Sequence, residues 1–375
     1  MQLDASKLRQ RITRLFEENF QKFGDLGAAV SIWQNGKALV DLYGGFKDAR
    51  RQEPWTDDTL VLIWSATKGL GSACVLHVLQ EHKIDIERRV TEFLPEFAQG
   101  GKKNITLAQL LSHQAGLAAL DRKVGVLDYP GVIAALEKQR PLWPPGTAHA
   151  YHARTFGYLL DELVRRIAGQ SLSEYWRKTF ADPLNLDLWI GLPEAMESRV
   201  ATMLPAPAPA AGTPLDIFTA RLLDPSTLLH RAFVNPPLPA PVFNERAFHA
   251  AEIPAANGIT NARSLARMYA ACIGEVDGVR LLQRNTVDAA TRVQSAGEDL
   301  VLGYETRYAT GFQLSFPFRP MAGEGSFGHY GMGGSAGFAD PGRRIAFAYV
   351  MNQMLPSGGV DPRTKSLVDA LLGCL

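Results

Sequence analysis

One stretch constrains this chain more than any other: Thr59 to Leu79, reading TLVLIWSATKGLGSACVLHVL. An apolar run delivers Ser65 to the start of a helix, and Lys68 follows three residues later. Positions three apart share one helical face, roughly 5–6 Å between Cβ atoms, so the hydroxyl and the amine are within reach of each other. Beyond Lys68 the helix is apolar nearly all round (Leu70, Ala73, Cys74, Val75, Leu76, Val78, Leu79), which places it in an interior. A lysine carried into that interior loses hydration, and its pKa falls toward values at which the amine accepts a proton. The helix start also offers free N–H groups and a positive dipole to an oxyanion at the serine. A serine ahead of an apolar helix can equally be a plain N-cap, so the pair needs partners before it carries chemistry. It is the one S-x-x-K in the sequence.

The 375 residues suffice for two domains or one large domain with an insertion. A net charge of +1 with no basic stripe argues against nucleic acid and anionic membrane as partners. No apolar stretch reaches the length of a membrane span. At the N-terminus Leu8, Ile12, Leu15, Phe16 and Phe20 fall on one helical face, which reads as a docking helix and not a signal peptide. Cys74, Cys272 and Cys374 are odd in number and far apart, so no disulfide framework is expected. A cytoplasmic protein is the expectation.

Two strand-like runs, 27–33 and 37–43, flank Asn35-Gly36, a strong hairpin signal. Residues 83–97 read as a bend and a short helix stopped by Pro95, and Thr106 caps the next helix. Phe156, Leu159, Leu160, Leu163, Val164 and Ile167 recur at helical spacing up to Gly169, and Ser171 with Glu174 forms a capping box. The proline-rich segments 204–214 and 235–241 read as semi-rigid surface loops near a pocket entrance. Residues 261–273 and 367–375 read as helices, while 311–316, 335–340 and 344–351 read as strands, the last two a hairpin around Asp340-Pro341-Gly342-Arg343. Strands at both chain ends imply an α+β fold: one antiparallel sheet, flanked by helices, built from residues 1–74 and 256–375. A large, mainly helical insertion occupies 75–255, with the active site between the two parts.

Ser-Lys chemistry needs a further proton carrier and N–H donors for a tetrahedral oxyanion. Tyr151, between the Pro145-Gly146-Thr147 turn and an apolar helix, is the candidate carrier. Its phenol is expected to ionise more easily beside a lysine cation. The glycine-rich run Phe327–Ser335 lets backbone approach a ligand, so the Met332 N–H can join that of Ser65 around the oxyanion. In that order, Ser65-x-x-Lys68, Tyr151 and His329-Tyr330-Gly331 resemble the motifs of the serine β-lactamase superfamily, and within it the class C β-lactamase-like esterases (family VIII carboxylesterases). Leu110–Leu117, Asp340-Pro341 and Tyr349–Asn352 support the resemblance, which runs from about Gly27 to the C-terminus. It implies the inserted helical architecture and acyl transfer through a covalent seryl ester.

The chain departs from the β-lactamase pattern at two points. Ala153 stands where Tyr-x-Asn places an amide, and His329 replaces the lysine of Lys-Thr-Gly. A neutral or switchable imidazole suits uncharged esters better than a fixed cation would. The expected activity is hydrolysis of carboxylic esters of short to medium acyl chain. The alternatives are a β-lactamase, a D-Ala peptide hydrolase or acyltransferase, and a non-catalytic binding protein on the same scaffold. Ser65, Lys68 and Tyr151 are the expected catalytic residues, the Ser65 and Met332 N–H groups the oxyanion hole, and His329, Gly331, Trp64 and His152 the substrate contacts. No metal or cofactor is called for, and the partner is a small-molecule ester; the oligomeric state is not legible. Gly333-Gly334-Ser335-Ala336-Gly337 fits G-x-S-x-G, but no histidine follows it, so Ser335 is not the expected nucleophile. His149 and His152 lack the neighbours of a metal site, and His113 reads as a structural hydrogen-bonder near the pocket.

Overall fold

The computed structural model describes residues 3–208, 212–238, 242–356 and 359–375. Strands come from both ends of the chain: β1 (Gly27–Gln34), β2 (Lys37–Gly45) and β3 (Val61–Leu62) early, β4 (Leu188–Trp189) and β5 (Ile259–Thr260) between. Later come β6 (Ser295–Glu298), β7 (Glu305–Tyr308), β8 (Gln313–Leu314), β9 (Phe327–Tyr330), β10 (Ala336–Asp340) and β11 (Ile345–Met351). Eight of them form one antiparallel sheet in the order β2-β1-β11-β10-β9-β8-β7-β6. The first hairpin turns at Asn35 and Gly36, both at positive φ (53° and 75°), as a two-residue turn of that sequence demands.

Period-two alternation explains why the sheet is covered on both sides. Ala28, Val30, Ile32, Phe347, Tyr349 and Met351 face one apolar cluster, shared with the terminal helices Ala5–Lys22 and Pro362–Leu372. Ala29, Trp33, Ala346, Ala348 and Val350 face the other, shared with the helices Ala262–Ile273 and Thr67–Glu81. Antiparallel strands buried on both faces read as nearly continuous apolar runs, and β11 (IAFAYVM) is one.

The helix expected up to Gly169 is Thr155–Ala168, ended by Gly169 at φ 73°, and Ser171 and Glu174 are paired in a capping box. Three details differ. β4 lies within the insertion and pairs with β5, which also pairs with β3, so a small three-stranded sheet stitches residues 61–62, 188–189 and 259–260 together. Pro95 opens a 3₁₀ segment (Pro95–Gly101) instead of closing a helix, because its fixed φ and missing N–H suit a first turn. The strand expected over 311–316 shrinks to Gln313–Leu314: Gly311, at φ 87°, donates its N–H to the Leu111 carbonyl, and Phe316 already turns back on Arg319. Among the described residues no helix is long and apolar enough to cross a membrane.

Candidate active site

Ser65 sits in a single 3₁₀ turn, Trp64–Ala66, from which the α-helix Thr67–Glu81 continues. Trp64 takes a positive φ of 50°, a strained conformation for a bulky residue directly before the serine. No side chain caps either helix start, so the N-cap reading of Ser65 fails. Its Oγ lies instead 3.2 Å from Lys68 Nζ, which also donates to the carbonyls of Ala153 and Ala255 at 2.9 Å each. Lys68 is wholly buried, and burial, with Arg154 adding, lowers its pKa well below the ordinary lysine value.

Tyr151 arrives from the segment ahead of helix Thr155–Ala168 and lies under the amine, Lys68 Nζ standing 4.7 Å from its ring centroid. Burial raises the pKa of its phenol, and the nearby Ser65 hydroxyl lowers it in part. The phenol is thus held neutral, against the expectation of easier ionisation, because its burial outweighs every nearby group that favours the anion. Its oxygen lies close enough to Ser65 to be stabilised by it but not in hydrogen-bonding geometry, and has no partner among the described residues. The Tyr151 backbone N–H donates to both oxygens of Asp299, at 2.9 and 3.1 Å. Asp299 is fully buried and also accepts from the Val301 and Leu302 N–H groups and the Thr306 hydroxyl. Burial lifts its pKa to about 6 against the pull of those donors.

Opposite stands the turn after β9. Gly331 N–H donates to the Ser335 carbonyl, and Met332 opens a 3₁₀ turn, Met332–Gly334. A Cβ on Gly331 would meet Ser335 Oγ at 2.0 Å and the Ile63 carbonyl at 2.3 Å, so only glycine lets this turn approach the serine loop. Ser65 and Met332 both stand in the first turn of a 3₁₀ segment, where backbone N–H groups lack an intrahelical acceptor. The turn is braced from behind: Arg363 donates to the Gly333 carbonyl at 2.5 Å and Thr364 to that of Gly334 at 2.8 Å. Arg363 is itself paired with Asp25 and Asp361 in a buried cluster.

Ser65, Tyr151, His329, Gly331 and Met332 line one cavity of about 480 Å³, part of it open to solvent. The remaining wall is largely aromatic: Phe218, Phe233, Tyr304, Tyr308 and Tyr330, with Leu302, Gln313 and Arg319. Arg319 is occupied, donating to the carbonyls of Phe318 and Gly359 and lying over the Tyr330 ring. Two expected contacts lie elsewhere. Trp64 packs edge-on against Phe243 at 5.1 Å inside the core, where an indole next to an apolar helix is best buried. His152 is 1% exposed and spends both ring nitrogens on backbone: Nδ1 donates to the Ala150 carbonyl at 2.6 Å, and Nε2 accepts from the Leu117 N–H at 2.9 Å. His113 is the structural hydrogen-bonder expected of it, its Nδ1 accepting from the His152 N–H. His149, also buried, bonds the Thr306 hydroxyl. Ser335 Oγ donates to the Ile63 carbonyl at 2.8 Å, and no histidine partners it.

The beta-lactamase family model matches residues 16–371. The chain belongs to that family. Esterase/beta-lactamase LipL of Mycobacterium tuberculosis (strain ATCC 25618 / H37Rv) is 34% identical over 356 residues, 92% of this chain and 81% of that protein. The crystal structure of a family VIII carboxylesterase is similar with a TM-score of 0.88 at 37% identity, covering 98% of each chain. A penicillin-binding protein homolog from Caulobacter crescentus is similar at 0.86 and 35%, again over 98% of each. Within the family frame, sequence reasoning missed Asp299 and the aromatic wall. Asp299 carries no signal that ties it to the site, since its bond to the Tyr151 N–H spans 148 residues. Phe218 and Phe233 had one: they sit on the helices Ile217–Leu223 and Leu228–Val234, between the two proline-rich segments assigned to the pocket entrance. Residues 209–211 and 239–241 of those segments lie outside the described residues.

Proposed function

We propose that this chain is a serine hydrolase cleaving carboxylic esters through a covalent acyl-Ser65 intermediate, at a site between the sheet-bearing part (1–74 and 256–375) and the mainly helical part (75–255). The observation that carries the reading is the triple contact of Lys68 Nζ. A neutral amine has two N–H groups and one lone pair. The carbonyls of Ala153 and Ala255 take the two N–H groups, which leaves the lone pair for the Ser65 hydroxyl.

In acylation Ser65 Oγ attacks the ester carbonyl and its proton passes to Lys68. The N–H groups of Ser65 and Met332 receive the oxyanion. Tyr151, a neutral phenol beside the serine, protonates the departing alkoxide and is reprotonated from Lys68. Water then attacks the acyl group by the reverse path. Burial, with Lys68 adding, lowers the pKa of His329 to about 3, so it is neutral at working pH and offers no cation to a substrate carboxylate. That favours uncharged esters over β-lactams, and the aromatic wall suits an apolar acyl or aryl group.

The test is hydrolysis of p-nitrophenyl butyrate and labelling by a fluorophosphonate. Both are expected in the wild type and lost in Ser65→Ala. A variant that keeps the activity removes the proposal, and a wild type that takes no label makes the chain a binding protein. Faster turnover of nitrocefin than of the butyrate ester would move the assignment to a β-lactamase.

A further inference from the structure

His329 lies on β9, 3% exposed, in the wall of the cavity that Ser65 and Tyr151 line. Its Nδ1 is 2.6 Å from the Tyr330 carbonyl, which can only accept, so Nδ1 carries the proton. In a neutral imidazole the other nitrogen is then a lone-pair acceptor. That nitrogen, Nε2, is buried and has no hydrogen-bond partner among the described residues. Tyr151, whose Oη is likewise buried without a hydrogen-bond partner among the described residues, lines the same wall, the two rings 5.8 Å apart and tilted by 30°. A buried polar group left unpaired calls for an explanation, and one facing a reaction cavity can be completed by the reacting molecule. Two other hydroxyls of the wall are engaged, Tyr308 with Asp299 and Tyr330 with the Pro320 carbonyl.

We propose that His329 Nε2 accepts a hydrogen bond from the acyl acceptor during deacylation and thereby selects water over monohydric alcohols. The inference rests on the acyl-Ser65 reading above. Water brings two O–H groups. Its oxygen forms the new bond to the acyl carbon, and one proton passes to the Tyr151–Lys68 pair. The bond from that carbon to Ser65 Oγ breaks, and Oγ recovers a proton from the same pair. The second O–H points at His329 Nε2 throughout and leaves with the carboxylic acid. A monohydric alcohol has a single O–H, which must go to the base, so its attack leaves Nε2 unpaired. A vicinal diol brings a second O–H and escapes that penalty.

The experiment is partitioning of the butyryl-enzyme from p-nitrophenyl butyrate, counted as butyric acid against new ester in equal concentrations of ethanol or ethane-1,2-diol. In the wild type the diol is expected to capture about tenfold more acyl groups than ethanol, the worth of one hydrogen bond. In His329→Leu that advantage disappears and ethanol gains on water by a similar factor. His329→Gln, which restores a carbonyl acceptor, recovers part of both preferences. Equal capture of ethanol and diol by the wild type overturns the proposal whether or not the variants fold, and so does an unchanged ratio in a folded His329→Leu. The burst of p-nitrophenol and fluorophosphonate labelling of Ser65 are read in the same samples. Their loss in the wild type refutes the acyl-enzyme itself, whereas their presence with an unaltered ratio refutes only the role of His329.

Discussion

The two walls of this active site are held in place by different physics. On one side Ser65 and Lys68 ride a helix buried on nearly every face, with Leu70, Ala73, Cys74, Val75 and Leu76 all in the core. Even its glycines are packing devices, since a Cβ on Gly69 would fall 2.0 Å from Tyr269 Oη. On the other side Tyr151 and the Met332 turn sit on loops, and buried polar groups from distant segments fix them. Asp299 holds the Tyr151 backbone across 148 residues, and Arg363 holds Gly333 across 30. Apolar packing is tolerant and non-directional. Polar clamps position a group sharply but fail as a unit when one member is lost.

That contrast is sharpest when chemistry is removed from the packed wall without disturbing it. Lys68→Met keeps the length and volume of the side chain but removes the proton acceptor. It is expected to lower kcat by about a thousandfold, within the range of general-base losses. In the wild type the amine must be unprotonated to act, so the rate should climb with pH through the lowered pKa of Lys68 and fall below it. A variant within tenfold of the wild type would place the base elsewhere.

On the clamped wall the largest effect should fall on stability. Arg363→Met leaves Asp25 and Asp361 buried without their cation, and breaking a buried pair from one side costs roughly 3–5 kcal/mol. The urea midpoint measures it. A loss no larger than that of an exposed pair such as Lys365–Asp369 would mean that the turn holds its own shape. Asp299→Asn tests the other clamp more gently. It turns one of the two oxygens that accept the Tyr151 N–H into an amide donor, and kcat should fall by about ten- to a hundredfold, the equivalent of one mispaired buried group. KM should barely change. In a Tyr151→Phe background the same substitution should cost little, because Asp299 acts through the position of Tyr151; additive losses would make it a purely structural residue.

The same division decides what could be read from the sequence. The packed wall was legible: an all-round apolar run with one S-x-x-K gives the helix, its burial and the Ser65–Lys68 pairing, and apolar runs around two hairpin turns gave β1, β2, β10 and β11 nearly to the residue. The motif order brought Tyr151, His329, Gly331 and Met332 to one cavity. What stayed hidden was every long-range polar bond. Nothing around Asp299 in the sequence announces that it accepts the Tyr151 N–H from 148 residues away. His152 and Trp64 were misplaced for a related reason. Each is a sequence neighbour of a residue that lines the cavity, but backbone groups claim the His152 ring and a core ring claims Trp64.

Ser335 lies on the seam between the two walls and should give the smallest effect. Its Oγ donates to the carbonyl of Ile63, two residues before Ser65, while its own carbonyl receives the Gly331 N–H. Ser335→Ala deletes a bond that runs directly from the glycine-rich strand entry to the loop that carries Ser65. The Ile63 carbonyl still accepts from the Ala66 N–H, so no acceptor is stranded, and the Ile63 N–H stays on the Gly258 carbonyl. The expected loss is about 1 kcal/mol of stability, that of an ordinary hydrogen bond, with ester hydrolysis close to wild type. Should activity instead vanish in a folded variant, the two walls would be registered through that single hydroxyl, and the clamps at Asp299 and Arg363 would be insufficient to align them.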